Sequence, residues 1–142
     1  MPYPVQNLRA FLTGRWRIAR RICDVRQDLL GRLAGYANFT AAPQGLIYDE
    51  AGLLRFGGYE GEAMRRYHFA FDRPGAAFVH HADGGLFHPL DLSSGKDNIR
   101  HRCAEDHYRG RYRVLSKDEF VVSWDVTGPR KRYRIATFYR RG

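Results

Sequence analysis

Between Gly14 and Cys23 apolar and charged residues alternate. Trp16, Ile18 and Ile22 fall on one face, and Arg15, Arg17 and Arg21 fall on the other with Ala19 and Cys23. A period of two marks a half-buried antiparallel strand, and Gly14 lets the chain turn sharply into it. Arg20 breaks the pattern, because it stands on the apolar side. The same period returns in Leu33 to Ala42, in Ala63 to Phe71 with Tyr67, Phe69 and Phe71 on one face, and in Tyr108 to Val114 with Arg109, Arg111 and Arg113 outward. Phe120, Val122, Trp124 and Val126 form another apolar face, and Tyr133 to Arg140 forms the last strand.

Turn chemistry separates these segments. Ala42-Pro43-Gln44-Gly45, Asp72-Arg73-Pro74-Gly75, Ser116-Lys117-Asp118-Glu119 and Gly128-Pro129-Arg130-Lys131 read as turns. Asp83-Gly84 joins Ala76–Ala82 to Leu86–Leu92 as a two-residue hairpin. Asp49-Glu50-Ala51-Gly52 reads as a further hairpin loop between Leu46–Tyr48 and Leu53–Phe56, with Gly57-Gly58 breaking or bulging the next strand. Only Leu8, Phe11 and Leu12 have helical spacing, and that short helix ends at Gly14. The pattern predicts an all-β fold, an antiparallel barrel of about eight to ten strands with a short N-terminal helix, and residues 1–142 as one domain.

A helix carrying Leu8 and Leu12, followed by Gly14-x-Trp16 at the start of an antiparallel meander, resembles the calycin superfamily of lipocalins, fatty-acid-binding proteins and nitrobindin-like barrels. The resemblance implies that Trp16 sits at the closed end of the barrel. A basic residue of the last strand, Arg140 or Arg141, would then pack over its ring, so that Gly14, Trp16 and Arg140 form the structural closure. Phe87-His88-Pro89-Leu90-Asp91, the run from His101 to Gly110 and Trp124-x-Val126-x-Gly128-Pro129-Arg130-Lys131 resemble a bacterial lipocalin-like family of unknown function.

Composition narrows the picture. The chain is 44% hydrophobic and 14% aromatic, which fits a globular fold. It has no apolar run near the ~18–20 residues that a membrane helix needs. The start, Met1 to Asn7, lacks the basic and apolar regions of an export signal, so the expected location is the cytoplasm. Cys23 and Cys103 are then expected as free thiols. A net charge of +9 attracts anions. The arginines alternate along strands rather than clustering, which makes them a solvated outer wall, and nucleic acid is not the expected partner.

Tyr36, Tyr67, Tyr108, Tyr112, Trp124 and Tyr133 recur at strand spacing, and inward tyrosines point to a polar-lined cavity, because a buried hydroxyl needs a partner. Such a barrel has room for one small ligand. The function expected is binding of a small, partly apolar molecule. With Arg20 inward and Arg130 at the rim, that ligand would carry an anionic end. The candidate site is His88, His101, Asp106, Tyr108, Tyr112, Trp124 and Arg130. His88 shares a face with Leu86 and Leu90 and needs a polar partner, for which Asp106 and Tyr108 are the candidates. The alternative is a small acid/base enzyme of isomerase or dehydratase type using a His/Asp/Tyr site. Weaker readings are haem held by His88 or His101, a metal held among His88, Asp91, His101, Cys103, Asp106 and His107, a Cys103–histidine nucleophile, and nucleic acid along the Arg109–Arg113 stripe. No cofactor is expected, no membrane partner is expected, and a homodimer is left open.

Overall fold

In the computed structural model, which describes residues 1–142, the chain forms α1 (Leu8–Leu12) and ten strands. These are β1 (Gly14–Asp24), β2 (Leu29–Ala42), β3 (Gly45–Phe56), β4 (Tyr59–Arg73), β5 (Ala76–His81), β6 (Leu86–Asp91), β7 (Lys96–Cys103), β8 (Asp106–Ser116), β9 (Glu119–Thr127) and β10 (Arg132–Arg141). They make one antiparallel sheet in the order β6-β5-β4-β3-β2-β1-β10-β9-β8-β7, curled into a nearly closed barrel. β6 and β7 meet at the seam without a backbone ladder. There the Asp91 amide donates to Asp97 Oδ2 at 2.9 Å.

One end is closed by the N-terminal segment. Tyr3, Val5 and Leu8 donate backbone hydrogen bonds to Val114, Leu92 and Pro74. Asn7 caps α1 by accepting from the Ala10 amide, and Leu8 and Leu12 are buried under the barrel. Trp16 is fully buried on this plug, and its indole N–H donates to the Leu12 carbonyl at 2.8 Å. Trp16 pairs with Arg141 across β1 and β10, and the Arg141 guanidinium lies 4.1 Å from the centre of its ring. The closure cation is therefore Arg141 and not Arg140. Strand alternation carries Tyr139 and Arg141 inward, whereas Arg140 pairs with Arg17 and points out toward Glu119. The turns at 25–28, 57–58, 82–85, 104–105 and 128–131 ring the opposite, open end.

Two local expectations change. The Asp49–Gly52 hairpin does not form: β3 runs unbroken from Gly45 to Phe56, paired on both sides. The turn is Gly57-Gly58, with Gly57 at φ +60, a conformation that favours glycine. Glu50, read as a loop residue, thus lies in mid-strand facing the interior. The reason is Arg20, whose place on the inward face of β1 supplies the partner that makes a buried carboxylate tolerable.

Candidate functional site

A polar knot crosses the middle of the barrel. β1 brings Arg20, β3 brings Tyr48 and Glu50, and β10 brings Thr137 and Tyr139. Arg20 grips Glu50 through two hydrogen bonds of 2.6 and 2.8 Å and gives its Nε–H to Thr137 at 2.8 Å. The Tyr48 hydroxyl donates to Glu50 at 2.6 Å, so the Tyr139 hydroxyl must donate to Tyr48 across 2.7 Å. Burial pushes the Glu50 carboxyl up, but the hydrogen bonds and charge of Arg20 outweigh it and hold the carboxyl below its usual range. Burial likewise pulls Arg20 down, and Glu50 more than restores it. Burial raises both tyrosines. Two N–H groups of Arg20 and the Tyr48 hydroxyl converge on Glu50, so the ion pair is neutral and its carboxylate is satisfied. Arg65 stands opposite Glu50 on β4, faces the same interior and has no carboxylate partner of its own.

Toward the open end the lining becomes aromatic. Phe87 lies nearly parallel to His81 (4.7 Å between ring centres, 21° between planes), to Trp124 (5.2 Å, 17°) and to Tyr67 (5.8 Å, 27°). The rings of His88, His101 and Tyr108 meet it edge-on at 74°, 81° and 87°. The cause is local to β6. Val79 pairs with His88 and His80 with Leu86, leaving Phe87 as the extra residue of a β-bulge. The bulge turns both Phe87 and His88 inward and leaves Leu86 half exposed, which corrects the expectation that Leu86 shares the His88 face. Trp124 finds its place because Gly110 pairs with it. A Cβ at Gly110 would come within 2.6 Å of the indole.

His88 is buried at 2% exposure. Its Nδ1 lies 2.8 Å from the Pro89 carbonyl, so Nδ1 carries the proton. The Nε2 then accepts from the Tyr112 hydroxyl at 3.4 Å. Burial lowers its pKa from 6.5 to about 4, so His88 is neutral. Its partners are Pro89 and Tyr112, in place of the expected Asp106 or Tyr108. Asp106 is at the rim, 3.0 Å from Lys131, and Arg130 is exposed. Of the expected residues, His88, Tyr112 and Trp124 line the interior, and His101 and Tyr108 stand at the mouth through their contacts with Phe87. Asp106 and Arg130 stay outside that group, so a His88–Asp106 acid/base pair is not assembled. Tyr36, expected among the aromatic lining, faces out beneath Arg15. Tyr67, expected in the same group, does line the interior, whereas sequence reasoning missed Glu50, Arg65, His81 and Phe87. Glu50 and the bulge left no periodic signal, but inward Arg20 called for a carboxylate.

The interior cavity is about 70 Å³ and is lined by the knot and the aromatic cluster. That is room for a few waters. The rings fill most of the space that the tyrosine pattern had assigned to a ligand. A larger concavity of about 980 Å³ lies on the outer wall, where Arg21, Arg32, Arg100, Arg109, Arg111 and Arg134 surround Ser123 and Ala136. Cys23 and Cys103 are free thiols. No group of three or more His, Cys, Asp or Glu side chains is placed to hold a metal ion. No helix is long and apolar enough to cross a membrane.

The fold resembles that of the S-type phycobiliprotein lyase CPES from Guillardia theta. The TM-score is 0.66 at 7% identity, over 94% of this chain and 90% of that one. A redesigned β-barrel bound to DFHBI aligns at TM-score 0.46 and 10% identity, over 92% of this chain and 99% of that one. A de novo designed fluorescence-activating β-barrel aligns at 0.47 and 13%, over 96% and 98%. No curated protein matches the sequence. Residues 12–141 match DUF6314, a family of unknown function, and the chain belongs to that family.

Proposed function

We propose that this protein binds a small, partly apolar molecule carrying one acidic group, held at the open end of the barrel. The observation that carries the reading is the charge balance of the interior. Arg20 is neutralised by Glu50, and Arg65, facing the same space, is left as the one uncompensated cation. An anion placed beside Arg65, which reaches solvent at the mouth, gains a charge-assisted hydrogen bond there, and the rings of Tyr67 and Trp124 receive the apolar body. His81, His101, Tyr67 and the Trp124 indole N–H make no hydrogen bonds within the chain, and they stand ready to orient a ligand. The phycobiliprotein lyase supports the reading only as a protein that shares the barrel.

The test compares 2-naphthoate with its uncharged counterpart 2-naphthol by calorimetric titration. The acid binds the parent more tightly, and Arg65→Met weakens the acid by about tenfold, as expected for the loss of one charged hydrogen bond. Naphthol binding stays within error. If Arg65→Met leaves the acid's affinity unchanged, or weakens the acid and the naphthol by the same factor, the anion site is not at Arg65. If neither compound binds at millimolar concentration, the reading is wrong.

A further inference from the structure

We infer that Phe87 occupies the place of a ligand ring, and that the ligand is a flat, conjugated acid. The inference rests on the proposed binding function and narrows its ligand class. Three observations carry it.

First, Phe87 is held as a flat guest would be. Its faces are covered by rings lying within 27° of its own plane, and its edges are met by rings standing at 74° or more. Aromatic pairs favour these offset-stacked and edge-to-face arrangements. The frame is therefore shaped for a plane about one ring thick rather than for a coiled alkyl chain.

Second, the frame is chemically mismatched to a phenyl group. The imidazoles of His81 and His101, the Tyr67 hydroxyl and the Trp124 N–H surround it with donors and acceptors that the phenyl cannot use. A flat molecule bearing ring nitrogens, carbonyls or hydroxyls at its edge would satisfy them.

Third, Phe87 is attached where it can leave. It is the extra residue of a bulge on β6, the terminal strand of the sheet. No ladder bonds the other edge of β6 to β7; the hydrogen bonds across the seam involve side chains, from the Asp91 amide to Asp97 toward the closed end and from the Tyr112 hydroxyl to His88. Swinging the ring out breaks no backbone ladder on the seam side, and it would join the ring's volume to a cavity that by itself holds only a few waters.

Phe87→Ala tests this with two acids of different shape, planar 2-naphthoate and flexible octanoate, titrated by calorimetry. The variant is expected to bind naphthoate about tenfold more tightly than the parent, since the ring no longer competes for the stack, while octanoate changes little. In the parent, saturating naphthoate is expected to shift the Phe87 ring resonances as the side chain leaves its stack. This second reading holds even if Phe87→Ala fails to fold, and Phe87→Leu provides a milder substitution. If Phe87→Ala strengthens octanoate as much as naphthoate, the slot has no preference for a plane; this inference falls and the binding function stands. If naphthoate binds the variant no better, or leaves Phe87 unmoved in the parent, Phe87 is a wall of the site and the inference is overturned. If neither acid binds parent or variant, the binding function itself falls.

Discussion

Arg20 and Glu50 face each other across the barrel interior through a two-pronged ion pair of 2.6 and 2.8 Å, with each side chain less than a tenth exposed. Removing one partner leaves a buried charge without compensation. Glu50→Gln should therefore destabilise the protein by about 3–5 kcal/mol, and the double change Arg20→Met with Glu50→Leu should recover most of the loss. Urea unfolding at neutral pH measures both. Since the Glu50 carboxyl titrates lower in the folded protein than its ordinary 4.5, its contribution is complete above that value and is lost as pH falls through the folded pKa. Glu50→Gln should remove that acid-limb loss.

His88 acts in a higher pH window. Its pKa is lowered from 6.5 to about 4 by burial, and the nearby imidazoles of His101 and His81 add to the effect. Between those values the unfolded chain binds a proton that the folded chain refuses, so stability falls as pH drops from 6.5 toward 4 and levels off below. The full loss is on the order of 3 kcal/mol. His88→Gln should flatten this limb while keeping a hydrogen bond to Tyr112. A parent protein whose unfolding midpoint is unchanged between pH 7 and pH 4 would contradict the buried neutral imidazole.

Trp16 is the anchor of the closed end, packed between Phe11 and Phe120 and covered by Arg141. Trp16→Ala is expected to cost about 3–5 kcal/mol, the range for deleting a large buried aromatic side chain. A thermal midpoint within a degree or two of the parent would place the residue elsewhere.

The outer wall carries six arginines around one concavity, with Asp125 as the only carboxylate in it. Exposed charge of this kind attracts polyanions without selecting among them. Binding of a labelled single-stranded oligonucleotide should be weak, indifferent to sequence, and should fall steeply with added salt. Tight, sequence-selective binding at physiological salt would make this wall a recognition surface.

The strands were legible because burial on one face writes a period of two into the residues, as in Gly14–Cys23 and Tyr108–Val114. The closed end was legible too, since a tryptophan after a helix and a cation from the last strand need only antiparallel pairing to meet. Choosing between Arg140 and Arg141 required the register, because one residue of slip exchanges inside for outside. The site was less legible. An acidic residue beside glycine and alanine reads as a loop, and only its partner 30 residues away in sequence, Arg20, makes Glu50 an interior residue. The bulge at Phe87 has no composition signature, so the ring that fills the mouth was invisible while His88 beside it was not. Gly110 offered a usable clue: a glycine inside an alternating strand marks a close approach, here of Trp124.

The two tryptophans stand at opposite ends of the barrel, Trp16 on the plug and Trp124 at the mouth, and each gives one indole N–H signal in a nitrogen–proton correlation spectrum. Titration with 2-naphthoate tests the location of binding directly, with Trp124→Phe used to assign the two peaks. The account predicts that the Trp124 signal moves progressively and saturates while the Trp16 signal, held to the Leu12 carbonyl, stays in place. A titration that moves neither signal, or moves Trp16 alone, would contradict a ligand site at the mouth of this barrel.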